Sequence, residues 1–257
     1  MLELDRILQS QGFGTHRACV ALITAGKVAV KVAADSAYQV CEQSRAKFPT
    51  EGLIISVEGM PWQFREHVYI ALNKPPGYEC SQQPKHHKSV LSLLPWQIRN
   101  RGVQCVGRLD QDTTGLLLLS DDGNFIHTFT SPKKHVAKIY QATTKHPLDE
   151  VQLLALRGGV VLHDAPQPVA ALGCQRLGEN LLELTIGEGK YHQVKRMVAA
   201  AGNRVEALHR VTIGGYTLPA SLAPGTWNWL EAAELAQLRG GSDASSALSP
   251  VKTANQA

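Results

Sequence analysis

The 257-residue sequence has no run approaching the ~18 consecutive apolar residues that a membrane-spanning helix needs. It has no glycine-rich nucleotide loop and no repeated βαβ period, which argues against a nucleotide-binding parallel α/β fold. Its five cysteines, Cys19, Cys41, Cys80, Cys105 and Cys174, are odd in number and never form a CxxC pair, so neither a disulfide framework nor a zinc site is expected. They read as small buried residues of a reducing compartment. The opening MLELDRILQS has acidic groups and no apolar block, so a secretory leader is not expected and a cytoplasmic location is. Large charge excess is missing too. A net charge of +4 leans toward an acidic partner yet falls short of a histone-like tail, so any nucleic-acid reading rests on local clusters.

Three such clusters are present: Lys85–Lys88 with two histidines between, Lys133-Lys134-His135 followed by Lys138, and Lys190–Arg196. Each alone reads equally well as a solvated face. An apolar content of 44% is enough for a core without metal or disulfide support. The length fits a small domain plus a medium one.

Residues 2–11 carry Leu4, Ile7, Leu8 and Gln11 at helical spacing, and Gly12–Thr15 then supply turn and N-cap chemistry. A second helix is expected over about 16–24, with Ala18, Cys19, Ala21 and Leu22 on one stripe and Gly26 ending it. Residues 27–32 and 52–57 read as strands, the pattern lapses over 59–65, and a further strand begins at Val68. The boundaries expected are 1–62 for the first domain, 66–237 for the second and 238–257 for a disordered Gly/Ser/Ala-rich tail. Short strands alternating with helices make the second domain α+β, on a mixed or antiparallel sheet.

The most informative segment is VGRLDQDTTGLLLLSDDG, residues 106–123. A polar loop with Arg108, Asp110 and Asp112 leads into four leucines that read as a strand buried on both faces, a scaffold able to fix a carboxylate. Asp110, Asp112, Thr114, Gly115 and Asp121 approach the spacing of a calcium loop, but leucine fills its seventh to tenth positions, Asp121 stands where the closing Glu belongs, and no amphipathic helix precedes it. Asp110 and Asp112 also invite a paired-carboxylate glycosidase reading. Neighbours two apart in a loop rarely face each other across a sugar, and the segment lacks aromatic platforms.

This segment resembles the Gly-Arg-Leu-Asp motif of pseudouridine synthases. LNKPPGYECS at 72–81, SPKKHVAKIYQAT at 131–143 and GEGKYHQVKRMVAAAGNRVEALHR at 187–210 match further motifs in the same order. LDRILQSQGFGTHRACVALITAGKVAV resembles the S4 RNA-binding domain, whose Val-Asn-Gly hairpin turn is replaced here by Val30-Lys31-Val32-Ala33-Ala34-Asp35, so a longer or differently shaped hairpin is expected. The whole is similar to the RsuA family of rRNA pseudouridine synthases, of the 16S type. It implies a small N-terminal S4-like domain followed by a catalytic domain on a mixed, mainly antiparallel β-sheet, acting as a monomer on ribosomal RNA with no metal and no cofactor.

Turning a uridine into its C-glycoside breaks the C1′–N1 bond, rotates the base and joins C1′ to C5. One carboxylate, a device to hold the detached base and exclusion of water suffice. The resemblance makes Asp110 that carboxylate, attacking base or sugar or removing a 2′ proton, with Lys195 or Arg196 keeping it ionised and register favouring Lys195. It makes Tyr140 the ring that stacks on the flipped base and Arg108 the group that fills the gap left in the RNA. Implied RNA contacts are Arg6, His16, Arg17, Lys27, Lys74, Lys133, Lys134, Lys138, His192 and Arg196. The plainer readings are a turn or capping role for Asp110, strand packing for Tyr140 and a structural or RNA-contacting role for His192, with His86, His87 and Lys88 on a mobile surface loop. Tyr191-His192, where large-subunit relatives more often carry Asn-Arg, points to 16S rather than 23S rRNA. A binder that has lost turnover is the rival reading, which the intact Asp110, Tyr140 and Lys195 set opposes.

Overall fold

A computed structural model describes residues 1–32, 37–163, 165 and 167–240. The chain divides into two compact units, Met1–Val68 with Leu94–Gln104, and Tyr69–Leu93 with Cys105 onward. Among the described residues no helix is long and apolar enough to cross a membrane.

In the first unit, strand β1 (Leu2–Glu3) leads into helices α1 (Leu4–Ser10) and α2 (His16–Thr24). Thr15 caps α2 by accepting the Ala18 N–H at 3.3 Å. Gly26, at φ +66°, follows the Ala25 C-cap and turns the chain into β2 (Val28–Lys31). The buried stripe of α2 is Cys19 and Ile23, with Leu22 partly buried; Ala18 and Ala21, expected on it, are exposed. The longer apolar side chains define the buried face because they remove more surface from water. Strands β3 (Gln39–Val40), β5 (Ile54–Val57) and β6 (Met60–Gln63) join β2 in an antiparallel sheet of order β3-β2-β5-β6, while β4 (Lys47–Phe48) pairs with β1. The expected change of hairpin shape at residues 33–35 lies outside the described residues.

The expected continuous second domain from residue 66 needs correction. Residues 94–104, with helix α3 (Trp96–Asn100), pack into the first unit. Arg101 donates to Arg65 O at 2.9 Å and Glu66 O at 2.7 Å, and Asn100 donates to Gly12 O at 3.1 Å. A Cβ on Gly12 would lie 2.0 Å from Gln97 O, so only glycine permits this approach. These partners are far apart in sequence, which is why composition gave no sign of them.

The second unit contains a nine-stranded sheet whose main path runs β13 (Gly173–Gly178), β14 (Leu181–Ile186), β12 (Lys138–Thr144), β15 (Val205–Ile213), β11 (Thr114–Ser120), β7 (Tyr69–Lys74) and β17 (Trp227–Trp229). β10 (Gln104–Val106) and β16 (Tyr216–Thr217) pair with β11 and β15, and β8 (Tyr78–Glu79) pairs with β9 (Lys88–Ser89) apart from the sheet. In the main path only β11 and β15 are parallel, so the fold is α+β on a mixed, mainly antiparallel sheet. Leu116–Leu119 sit at 0% exposure at the centre of this sheet, as a four-leucine run implies. Ala71, Leu116 and Leu118 share a core with Phe125 and Phe129 of α4 (Gly123–Thr130) and Leu238 of α7 (Ala232–Gly240). Helices α5 (Glu150–Gly158) and α6 (Gln193–Ala200) complete the unit.

Residues 238–240, expected to open a disordered tail, instead belong to α7, which runs to Gly240 with Leu238 fully buried. Residues 241–257 lie outside the described residues. The loop at 85–88, expected as a surface loop, is exposed and tied to Glu79. The Glu79 carboxylate accepts the backbone N–H groups of Lys85, His86 and His87 at 2.8–3.0 Å, which holds its pKa below the usual range.

Candidate active site

The loop before β11 is fixed from below. Lys74, at the end of β7, is fully buried and donates its ammonium to Pro75 O at 3.1 Å, Gln111 O at 3.1 Å and Thr113 O at 2.9 Å. Burial pushes its pKa down. It was expected on an RNA-contacting surface; it has no surface, and its charge instead holds the carbonyls of the loop that carries Asp110. Thr113 N–H donates to Asp110 O at 3.1 Å and closes the turn.

Asp110 is about one-third exposed and faces the start of α6. Its Oδ1 is 3.2 Å from His192 Nε2 and its Oδ2 is 3.6 Å from Lys195 Nζ. Lys195 thus lies beside Asp110, but it is shared. Both Asp112 oxygens lie 2.8 Å from the same Nζ, and that hydrogen bond holds the Asp112 pKa below the carboxylate range. Sequence reasoning weighed Asp112 as a calcium ligand or a glycosidase carboxylate, set both aside, and did not foresee its bond to Lys195. Its signal lay in the loop itself, since a lysine reaching Asp110 must pass within range of a carboxylate two residues away.

His192 precedes α6 in the left-handed backbone region, at φ 49°, uncommon for a non-glycine residue and found disproportionately at functional sites. This conformation sets its ring against Asp110 and, at 3.8 Å between centroids, stacks it on the exposed Tyr191. Arg196, the alternative partner of Asp110, instead donates Nη1 to Tyr191 O at 3.1 Å.

Beside Asp110 opens a cavity of about 280 Å³, lined among others by Arg108, Thr113, Lys138, Tyr140, His192 and Arg210. This is near the lower end of small-molecule pockets, ~300–1,000 Å³. Tyr140 on β12 is buried and lies directly across from Arg210 on β15, which lies in turn across from Gly115 on β11. Gly115 has φ +98°, and a Cβ there would sit 2.3 Å from Arg210 O. The missing side chain permits the close approach of the β11 and β15 backbones. Arg210 donates Nε to Leu116 O at 2.8 Å and Nη1 to Tyr140 Oη at 3.3 Å.

Among the described residues, two buried side-chain polar atoms lack a hydrogen-bond partner: Arg210 Nη2 and Thr113 Oγ1. Each such orphan costs about 1–3 kcal/mol. Both residues line this one cavity. Neither was singled out from sequence, because what they do depends on strand pairing between segments about a hundred residues apart.

Lys138, at the cavity wall, donates to Val136 O at 2.8 Å, and burial, then the nearby Arg210, brings its pKa down to about 8. Arg108 is exposed at the mouth, while Lys133 and Lys134 are exposed on a single turn, Pro132–Lys134. Arg6, His16, Arg17 and Lys27 are exposed in the first unit, with His16 3.1 Å from the buried Asp5 and Lys27 2.7 Å from Glu58. Among the described residues no three His, Cys, Asp or Glu side chains are grouped as metal ligands would be.

The mixed sheet thus presents a carboxylate, Asp110, paired with Lys195 and His192 beside a cavity lined by Tyr140. Residues 68–200 match the family described as RNA pseudouridylate synthase, and the chain belongs to that family. It is 37% identical to the ribosomal small subunit pseudouridine synthase A of Yersinia pestis, over 92% of this chain and 98% of that one. It is 42% identical to the protein of the same name in Escherichia coli K12, over 66% of this chain and 73% of that one. An uncharacterized RNA pseudouridine synthase of Bacillus subtilis is 34% identical over 91% and 97% of the two chains. The crystal structure of a pseudouridylate synthase superposes with a TM-score of 0.64 at 32% identity, covering 93% of this chain and all of that one.

Proposed function

We propose that the chain isomerises one uridine of 16S rRNA to pseudouridine in the cytoplasm, with Asp110 as the catalytic carboxylate. The observation that carries this reading is the Asp110 carboxylate, held by Lys195 and His192 beside the Tyr140 cavity. A carboxylate with a cation 3.6 Å away is placed to act as nucleophile or base. The buried Tyr140 ring offers a face to the detached base, and Arg108 at the mouth fills the gap in the RNA. The relatives named for the small ribosomal subunit favour 16S over 23S rRNA.

In the same reading, the N-terminal helices form an S4-like docking surface, with Arg6, His16, Arg17 and Lys27 toward phosphates and Lys133, Lys134, Lys138 and Arg196 toward the RNA near the site. Release of tritium from C5-labelled uridine in 16S rRNA, with the chain left intact and no free uracil, is the expected result. A modified site mapped to 23S rRNA would overturn the substrate; abasic sites would replace the isomerase with a hydrolase.

A further inference from the structure

Lys195 stands between two carboxylates and bonds only one of them. Both oxygens of Asp112 lie 2.8 Å from its Nζ, within hydrogen-bond range, whereas Oδ2 of Asp110 lies 3.6 Å away, outside it. Asp110 thus has the ammonium as a neighbour without accepting a hydrogen bond from it. Its other oxygen, Oδ1, lies 3.2 Å from His192 Nε2, so one oxygen of the carboxylate is engaged and one is not.

Asp112 is itself held in place. The buried Lys74 ammonium donates to the carbonyls on either side of it, Gln111 O at 3.1 Å and Thr113 O at 2.9 Å, and Gly77 N–H donates to Gln111 O at 2.8 Å. A carboxylate on backbone anchored in this way is a fixed point for the flexible stem of a lysine. The bond to Lys195 also holds the Asp112 pKa below the carboxylate range, so the tie persists at neutral pH. Without Asp112, Asp110 is the carboxylate left beside Nζ, and an ammonium free to rotate would bond it. An oxygen that accepts such a charge-assisted bond has a lone pair committed. It is the weaker nucleophile and the weaker base, because the bond must be given up as the oxygen reacts.

Resting on the uridine-isomerase reading above, we propose that Asp112 is a positioning residue for the reaction: it takes the hydrogen bonds of Lys195 and so keeps the ammonium beside Asp110 without tying up Oδ2, the oxygen left to act on the uridine. Asp112 touches no reacting atom in this role and acts through Lys195. The role is the same whether Asp110 attacks the base, attacks the sugar or removes a 2′ proton, since each of these uses an unbonded carboxylate oxygen.

The test uses the full chain and follows tritium release from C5-labelled 16S rRNA with kcat and KM resolved. The Asp112 side chain is more than half exposed, so Asp112→Ala leaves no cavity behind. This variant should lower kcat about tenfold with KM within about twofold, and Asp112→Glu should return kcat to within about threefold of wild type. In a Lys195→Met background the same Asp112→Ala change should cost nothing further, because no ammonium is left to hold off. The crystal structure of Asp112→Ala should show Nζ within hydrogen-bond distance of Asp110 Oδ2. An unchanged kcat in Asp112→Ala would overturn the proposal. So would an equal loss with and without Lys195, the mark of a merely structural loop residue. If Lys195→Met turns over too slowly to measure, the crystal structure decides: an ammonium that stays out of hydrogen-bond range of Oδ2, or turns to solvent, overturns the proposal. Wild type that releases no tritium from any rRNA would instead fail the isomerase reading, while the crystallographic outcome still judges the placement of Lys195.

Discussion

Two buried polar side chains, one in each compact unit, show how differently this protein treats its interior. In the N-terminal unit, Gln11 is fully buried, donates to Arg65 O at 2.9 Å, and accepts from Arg65 N–H at 3.0 Å, Trp62 Nε1 at 3.2 Å and Arg101 Nη1 at 3.2 Å. In the sheet unit, Arg210 is 2% exposed yet keeps one nitrogen without a partner, and Thr113 keeps its hydroxyl the same way. The first arrangement meets the hydrogen-bonding needs of its buried groups; the second leaves two of them unmet. A satisfied network stabilises, whereas an unsatisfied one costs stability.

Substitutions can sharpen that contrast. Gln11→Met leaves several buried groups unpaired at once and should lower unfolding free energy by about 2–4 kcal/mol, measured by urea denaturation. Lys138 offers a pH test. Its folded value of about 8 lies below the ordinary 10.5, so between these the unfolded chain binds more protons and stability should rise with pH. Lys138→Met should lack that rise, and an identical pH profile in the variant would show that the lysine is not buried as described. The smallest effect carries the clearest sign. Thr113→Val removes an orphaned hydroxyl and should raise stability by about 0.5–1 kcal/mol, the reverse of what the same change does at a satisfied site. A loss of stability at Thr113 would erase the distinction between the two interiors.

Much of this was legible in the sequence wherever neighbours in the chain decide structure. The helix pair at 4–24, the buried leucine strand and the loop that places Asp110 all follow from local periodicity and composition. What was hidden is long-range. Residues 94–104 join the first unit through contacts with Gly12, Arg65 and Glu66. Lys74 reads as one more basic residue until β7 places it under the loop, and Arg210 becomes a cavity group through its pairing opposite Tyr140 and Gly115. Lys195 was foreseen beside Asp110, but its closer bond to Asp112 depends on where α6 begins relative to a loop 83 residues earlier in the chain.

Asp110→Asn offers the most direct test of the account, because it keeps the shape of the side chain and removes its charge. Tritium release from C5-labelled 16S rRNA should fall by at least about a thousandfold while RNA affinity stays within about tenfold, since docking and chemistry reside in different groups. Turnover within tenfold of wild type in the asparagine variant would contradict the account at its centre.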